Sequence, residues 1–400
     1  MSPPQLRAAA WSWADHLRAG GTTPWSRWVT TAPDTDLPGE APGADDRGRA
    51  PGAAQLELVR RLAERLERPA GPAFTELADR ALARSGPGRG PAHIPLAWPG
   101  DTQTPSRIGV PPADPATLPA DELARAGVGL LADLLATSPV PPCEEDRPGR
   151  RRPWHKAFHL AGPPVTTAAV RRSLALAGHH EGGRSPRVVL LAEPLDVALA
   201  QVWSTRVQRG APVRWVTFAG RWARRDQLPP STDLVAIASW WAGRVGRENV
   251  HVVAGPDVRR TAATAAAVLG LSHVDAGATD PRSLPPAAVD LLRRLNRVLN
   301  VRLPEPDRGP RLRWVTGRLS EDEHPRLAVP AQVRPWLEER ARQAADGLRA
   351  GGYAVHGDLT GIAPRHDGAP HPRNAEVLDL VLATVLDVAE QLRGREGVER

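Results

Sequence analysis

The strongest constraint on the fold is a change of period that begins near residue 155. From there on, short apolar runs alternate with longer segments whose apolar residues recur at helical spacing. Lys156 to Leu160, Val188 to Leu191 and Asn249 to Val253 have the composition of strands, and each is followed by a helical pattern. Strands separated by helix-length segments cannot pair as tight hairpins, and a crossover through a helix joins parallel neighbours. The second part of the chain is therefore expected to be α/β, with a parallel sheet flanked by helices.

The chain before that point is different in kind. Residues 4–19 pattern as a helix with Trp11, Trp13 and Leu17 among its apolar positions, ended by Gly20-Gly21. Thr23-Pro24 predicts an N-cap and first-turn proline for a second helix facing inward through Trp25, Trp28 and Val29. Further helices are expected over 53–68, 72–84 and 118–135, separated by proline- and glycine-rich connections over 32–52 and 86–119. The run SPVPPCEEDRPGRRRP, residues 138–153, is polar, charged in blocks and rich in proline, as domain linkers are. This gives three regions: a mainly helical 1–137, a linker 138–153 and an α/β region 154–400. In the last of these, Asp233 to Val245, Pro286 to Asn300, Pro330 to Arg349 and a segment capped by Asn374 are expected helices.

Composition narrows the function. The net charge of +7 comes from arginine, because Lys156 is the one lysine in 400 residues. Scarcity of Lys, Met, Tyr and Phe beside abundant Arg, Ala, Gly and Pro is the signature of a GC-rich coding sequence. The doublets Arg171-Arg172, Arg259-Arg260 and Arg293-Arg294 alternate with acidic residues and no basic-aromatic ladder accompanies them, so no nucleic-acid partner is expected. A single cysteine, Cys143, excludes an internal disulfide framework and any multi-thiolate zinc site. Neither a secretory leader nor an apolar run of membrane-spanning length is present, and the expected location is the cytoplasm.

The chemistry-bearing segment is HLAGPPVTTAAVRRSLALAGH, residues 159–179, in which a strand turns through Gly-Pro-Pro, carries a Thr-Thr pair and becomes a helix. A phosphate-binding loop has this layout, since backbone N–H groups at the turn and helix N-terminus converge on phosphate oxygens while a lysine and a hydroxyl complete the cradle. Residues 158–177 resemble the strand, loop and helix that open the P-loop sulfotransferases, whose loop runs Gly-x-Pro-Lys-(Ser/Thr)-Gly-Thr-Thr. Gly162 and Pro163 echo its start, and Thr166 and Thr167 fall on its Thr-Thr. Pro164 and Val165 stand where the lysine and second glycine belong. A second segment, RVVLLAEPLDVALAQVWSTRVQRG, is similar to the family's strand, Arg-Asp-Pro and helix signature. Pro194, Asp196, Val197 and Ala198 follow that pattern, but Ala192 occupies its arginine position and Ala200 its serine position. Residues 248–271 and 291–364 are similar to later strand-helix units of bacterial members, so the resemblance spans about residues 155–365.

The resemblance implies a P-loop sulfotransferase-like fold and a site for the phosphosulfate nucleotide donor, PAPS, held by Gly162, Thr166, Thr167 and an arginine reaching back from the helix, Arg171. Each lost cation or hydroxyl removes a charge-assisted hydrogen bond of about 1.5–3 kcal/mol. The expectation is a degenerate site retained for binding or structure, with no catalytic residue assigned. An active sulfotransferase acting on a carbohydrate or lipid hydroxyl is one alternative, and a module that binds a protein partner through its N-terminal helices is another. His179-His180-Glu181 and the His366, Asp367, His371 cluster fit loops better than metal sites, and no metal is expected. His251 is expected on a sheet face. Trp203, Trp215, Trp222, Trp240 and Trp241 are expected in the core.

Overall fold

The computed structural model describes residues 3–31, 51–66, 71–83, 94–98, 110–137, 158–183, 186–255, 257–271, 284–319 and 326–396. The linker 138–153, Cys143, Lys156 and most of the connections 32–52 and 86–119 lie outside the described residues. The elements in chain order are helices α1 (Pro3–Arg18), α2 (Trp25–Thr31), α3 (Ala53–Glu64), α4 (Pro72–Leu82) and α5 (Ala120–Thr137), then strand β1 (Phe158–Ala161), α6 (Pro164–Leu176), β2 (Arg187–Ala192), α7 (Leu195–Gln208), α8 (Trp215–Arg225) and α9 (Leu234–Val245). They continue with β3 (Val250–Ala254), α10 (Val258–Leu269), α11 (Pro286–Arg302), α12 (Glu305–Thr316), α13 (Arg334–Ala350), β4 (Ala354–Gly357) and α14 (Asn374–Glu396).

The chain forms two compact units. One comprises Met1–Pro141, Arg294–Arg311 and Arg373–Arg400, and the other Pro142–Arg293 and Leu312–Pro372. The regions drawn from sequence follow chain order, whereas the first unit is assembled from three stretches, including the C-terminal helix.

The first unit is helical. Its centre is the packing of α5 on α14, two helices far apart in sequence. Leu123, Leu130 and Leu131 of α5 and Val381 and Val385 of α14 are fully buried, each worth about 1.5–3 kcal/mol relative to exposure. Gly127 sets the closeness of this contact, since a Cβ there would fall 2.3 Å from Val381 Cγ1. Trp13 and Trp25 pack with ring centroids 5.2 Å apart, and their indole N–H groups donate to the carbonyls of Thr23 (2.9 Å) and Ala97 (2.8 Å). The Thr23 hydroxyl lies 3.2 Å from His16 Nε2. Arg60 holds the buried Glu57 carboxylate through Nε and Nη2 at 2.8 and 2.7 Å, which satisfies a charge that would otherwise be expensive to bury.

The second unit contains a four-stranded parallel sheet in the order β1-β2-β3-β4. Leu160, Val189, His251 and Ala354 form one row across it. Val188 to Ala192 are all buried, as expected for a strand covered on both faces. Phe158, Leu160, Val189, Leu191 and Val253 form a core with Val170 and Leu174 of α6 and the alanine-rich face of α10. Side chains alternate along a strand, so His159 points to the opposite face, where its ring stacks on Trp241 of α9 at 5.1 Å. Helices thus flank both faces. Among the described residues no helix is long and apolar enough to cross a membrane.

Candidate functional site

The candidate site lies where β1 and β2 end and α6 and α7 begin, entirely within the second unit. The carboxyl ends of parallel strands are the usual place for ligands in such sheets. Gly162 makes the turn out of β1 with φ +139°, and a Cβ there would lie 2.6 Å from the Leu191 carbonyl oxygen. Only glycine allows the chain to pass this close to β2. Pro163 and Pro164 then launch α6, with Pro163 at the cap position and no local side-chain cap.

An α-helix begins with backbone donors that lack intrahelical partners, and these are what a phosphate loop offers its ligand. In α6 every one is accounted for. Pro164 has no N–H. Val165 N and Thr166 N both donate to Gln201 Oε1 of α7, at 3.0 and 3.1 Å. Thr167 N donates to the Pro163 carbonyl at 2.9 Å. The Gln201 amide group in turn donates to Thr166 Oγ1 and to Glu193 Oε2, each at 3.0 Å. Thr166 Oγ1 donates to the same carboxylate oxygen at 2.8 Å. The α6 N-terminus is therefore closed by a side chain from the next helix, and a carboxyl group faces it.

The environment of that carboxyl is unusual. Residue Glu193 keeps some surface, yet its Oε1 is shut off from solvent and has no hydrogen-bond partner among the described residues. Burial pushes the group up to about 7, reinforced by the Asp196 carboxylate and opposed by the bonds from Thr166 and Gln201 and by the charge of Arg365. Asp196 is itself buried. Its Oδ2 accepts from Arg365 N at 3.2 Å and its Oδ1 is unpartnered among the described residues. Near neutral pH Glu193 is thus divided between a neutral acid that can donate a proton and an anion.

Gly162 makes the turn, Thr166 and Thr167 lie in the first residues of α6, and Thr166 is drawn into the polar cluster. The Thr167 hydroxyl is buried without a partner among the described residues. Arg171 is directed elsewhere. Its Nε donates to Glu181 Oε2 at 2.5 Å, and Glu181 Oε1 accepts from Leu160 N at 2.5 Å. Glu181 and the bridge between Gly182 and Phe158 cover the free edge of β1, which gives the His179-His180-Glu181 segment a structural role. Ala192 is buried at the end of β2, and Ala200 precedes the glutamine that performs the capping.

Gln201, Glu193 and Arg365 were not singled out by the motifs. A signal for the first was available: a lone amide inside the apolar run of α7 is buried in the fold, and buried amides find partners. The histidines fall as follows. His251 Nδ1 lies 3.3 Å from His356 Nε2 across β3 and β4, and burial lowers its proton affinity, aided by His356 and Arg187. His366 Nε2 is 2.7 Å from Glu338 Oε1 in its loop. Among the described residues no group of three His, Cys, Asp or Glu side chains is arranged to hold a metal ion. Trp203, Trp215 and Trp222 are buried as expected, but Trp240 is 53% exposed, because it lies on the outer side of α9 with Arg244 over its ring at 4.3 Å.

Comparison with known proteins finds no match, whether among protein-family models, curated proteins or solved structures.

Proposed function

We propose that the second unit is a sulfotransferase-like scaffold whose phosphate-loop turn is sealed by its own side chains, serving a binding or structural role without sulfuryl transfer from PAPS. The observation that carries this reading is the complete use of the α6 N-terminal donors within the protein. A phosphate arriving there would have to displace Gln201 and approach Glu193 and Asp196, whose charges repel it. The cation nominated for the cradle, Arg171, is committed to Glu181.

The residues present do not fit PAPS. Sulfuryl transfer needs preorganised positive charge or donors at the developing oxyanion. The groups meeting at this turn are instead a carboxyl acceptor, a hydroxyl and an amide already bonded to one another.

Calorimetric titration with 3'-phosphoadenosine 5'-phosphate at low salt tests the proposal, with no binding heat as the expected result. Micromolar binding that Thr167→Ala abolishes would overturn the sealed turn and make the active-enzyme alternative the one to test.

A further inference from the structure

We propose that the outer face of α8, with the C-terminal end of α7, is a binding surface for the phosphodiester backbone of a nucleic acid. Between Asp196 and Asp226 the sequence contains Arg206, Arg209, Arg214, Arg221, Arg224 and Arg225 and no acidic residue. All six arginines are exposed. Arg206 rests its guanidinium over the rings of Phe218 and Trp222, at 5.6 and 5.5 Å. None of the other five forms an ion pair among the described residues. The nearest carboxylate along the chain, Asp226, is taken by Arg340 and by the Trp336 indole N–H at 3.1 Å.

The arrangement on α8 is ordered. At about 100° per residue, Arg214, Arg221 and Arg225 fall within about 40° of one another around the axis, separated along it by about 10 and 6 Å. Arg224 flanks this stripe. A merely solubilising face looks different, and α13 supplies the contrast: there Arg342 pairs with Glu339 and Arg349 with Asp346, each three residues apart. On α8 Arg221 and Arg225 are like charges four apart, which weakens a helix. Arg214 stands at the N-terminal cap position, where the helix dipole disfavours a cation. Helix stability therefore does not account for Arg214 or Arg221, whereas Arg225 lies in the last turn, where the dipole favours a cation.

The chemistry of the face favours nucleic acid over other anions. Protein interfaces centre on a dry apolar patch with few charges, but Trp215, Phe218 and Trp222 are buried in this unit, and Val216, 44% exposed, is the one large hydrophobic of α8 left outside. A membrane-surface helix must bury an apolar face in lipid, and that face of α8 is already used. Nucleic-acid interfaces are polar and strongly positive, and the guanidinium fork matches phosphate oxygens. The doublets that argued against nucleic acid from sequence lie elsewhere, at Arg171, Arg259 and Arg293. The α7–α8 arginines lie instead in one stretch of chain that has no acidic residue.

Fluorescence anisotropy of the full chain with a labelled mixed-sequence duplex, over a range of salt, tests this. Binding should weaken linearly on a log–log plot, and Arg214→Gln with Arg221→Gln and Arg225→Gln should lower affinity by at least about tenfold and the salt slope by about 3. Should the triple variant melt early, Arg221→Gln alone is expected to lower the slope by about 1. Absence of binding at low salt, or a slope that neither variant changes, would overturn the proposal. Equal or tighter binding to poly-glutamate or to vesicles containing phosphatidylserine would overturn the assignment to nucleic acid.

Discussion

Two turns in the same sheet lead from a strand into a helix, and they satisfy the helix N-terminus in opposite ways. At the β3–α10 turn, Asp257 caps its own helix: its carboxylate accepts from Arg260 N at 2.8 Å and its carbonyl from Thr261 N at 3.0 Å. At the β1–α6 turn no local side chain does this, and the cap is Gln201, 35 residues further on from Thr166. The first solution is contained in five consecutive residues. The second exists only once α7 has packed beside α6, so it ties two crossover helices together and removes the donors a phosphate would need.

The largest effect should come from breaking the remote cap. Gln201→Leu keeps much of the side chain's bulk but strands Val165 N and Thr166 N, while Glu193 Oε2 loses one donor and keeps the bond from Thr166 Oγ1. At about 1–3 kcal/mol per orphaned buried group, partly relieved by water, the loss should be about 4 kcal/mol in denaturant unfolding. A loss below about 1 kcal/mol would mean that the N-terminus of α6 is open to solvent and free for a ligand.

Next in size is the response of Glu193 to pH. Its carboxyl, raised from 4.5 to about 7, holds its proton more tightly in the folded chain than in the unfolded one. Stability contributed by the neutral form is therefore fully present below the unfolded value. It falls as pH rises between the two and is lost above about 7, by about 3 kcal/mol. Gln at this position keeps the acceptor for Thr166 and Gln201 but cannot ionise. Glu193→Gln should then stabilise the protein by about 2–3 kcal/mol at pH near 8 and by little near pH 4.5, as read by thermal melts. Equal effects at both pH values would show that Glu193 is solvated rather than sealed in.

The contrast between the turns also marks what the sequence could disclose. β1, β2 and β3 were legible within a residue or two because apolar runs bounded by turns have few alternatives, and the parallel, two-faced sheet followed from the spacing. Two helices were not legible. α8 is short and made largely of aromatic, β-branched and arginine residues, whose helicity depends on burying Trp215, Phe218 and Trp222. Gly309 and Pro310 argue locally against α12, which forms because Leu312 and Val315 are buried. In the site, Gly162 and Thr166 were visible as a motif, but their partner Gln201 was not. A motif specifies the residues a turn contains and leaves open which side chains from elsewhere will occupy it.

The smallest effect sharpens the comparison most. Asp257 is exposed, so water can replace its carboxylate at Arg260 N, and Asp257→Ala should cost about 1 kcal/mol, the usual value of an N-cap. Its weak ion pair with Arg260, at 3.9 Å and exposed on both sides, should add almost nothing. The quantity of interest is the ratio of this loss to that of Gln201→Leu, measured in the same denaturant series. If the cap of α6 were an ordinary cap that happens to come from another helix, the two losses would be similar. A loss several times larger for Gln201 means that the glutamine holds a desolvated polar cluster as well as a helix end. On the function proposed above, that cluster keeps a phosphate out by pairing the backbone donors of α6 internally.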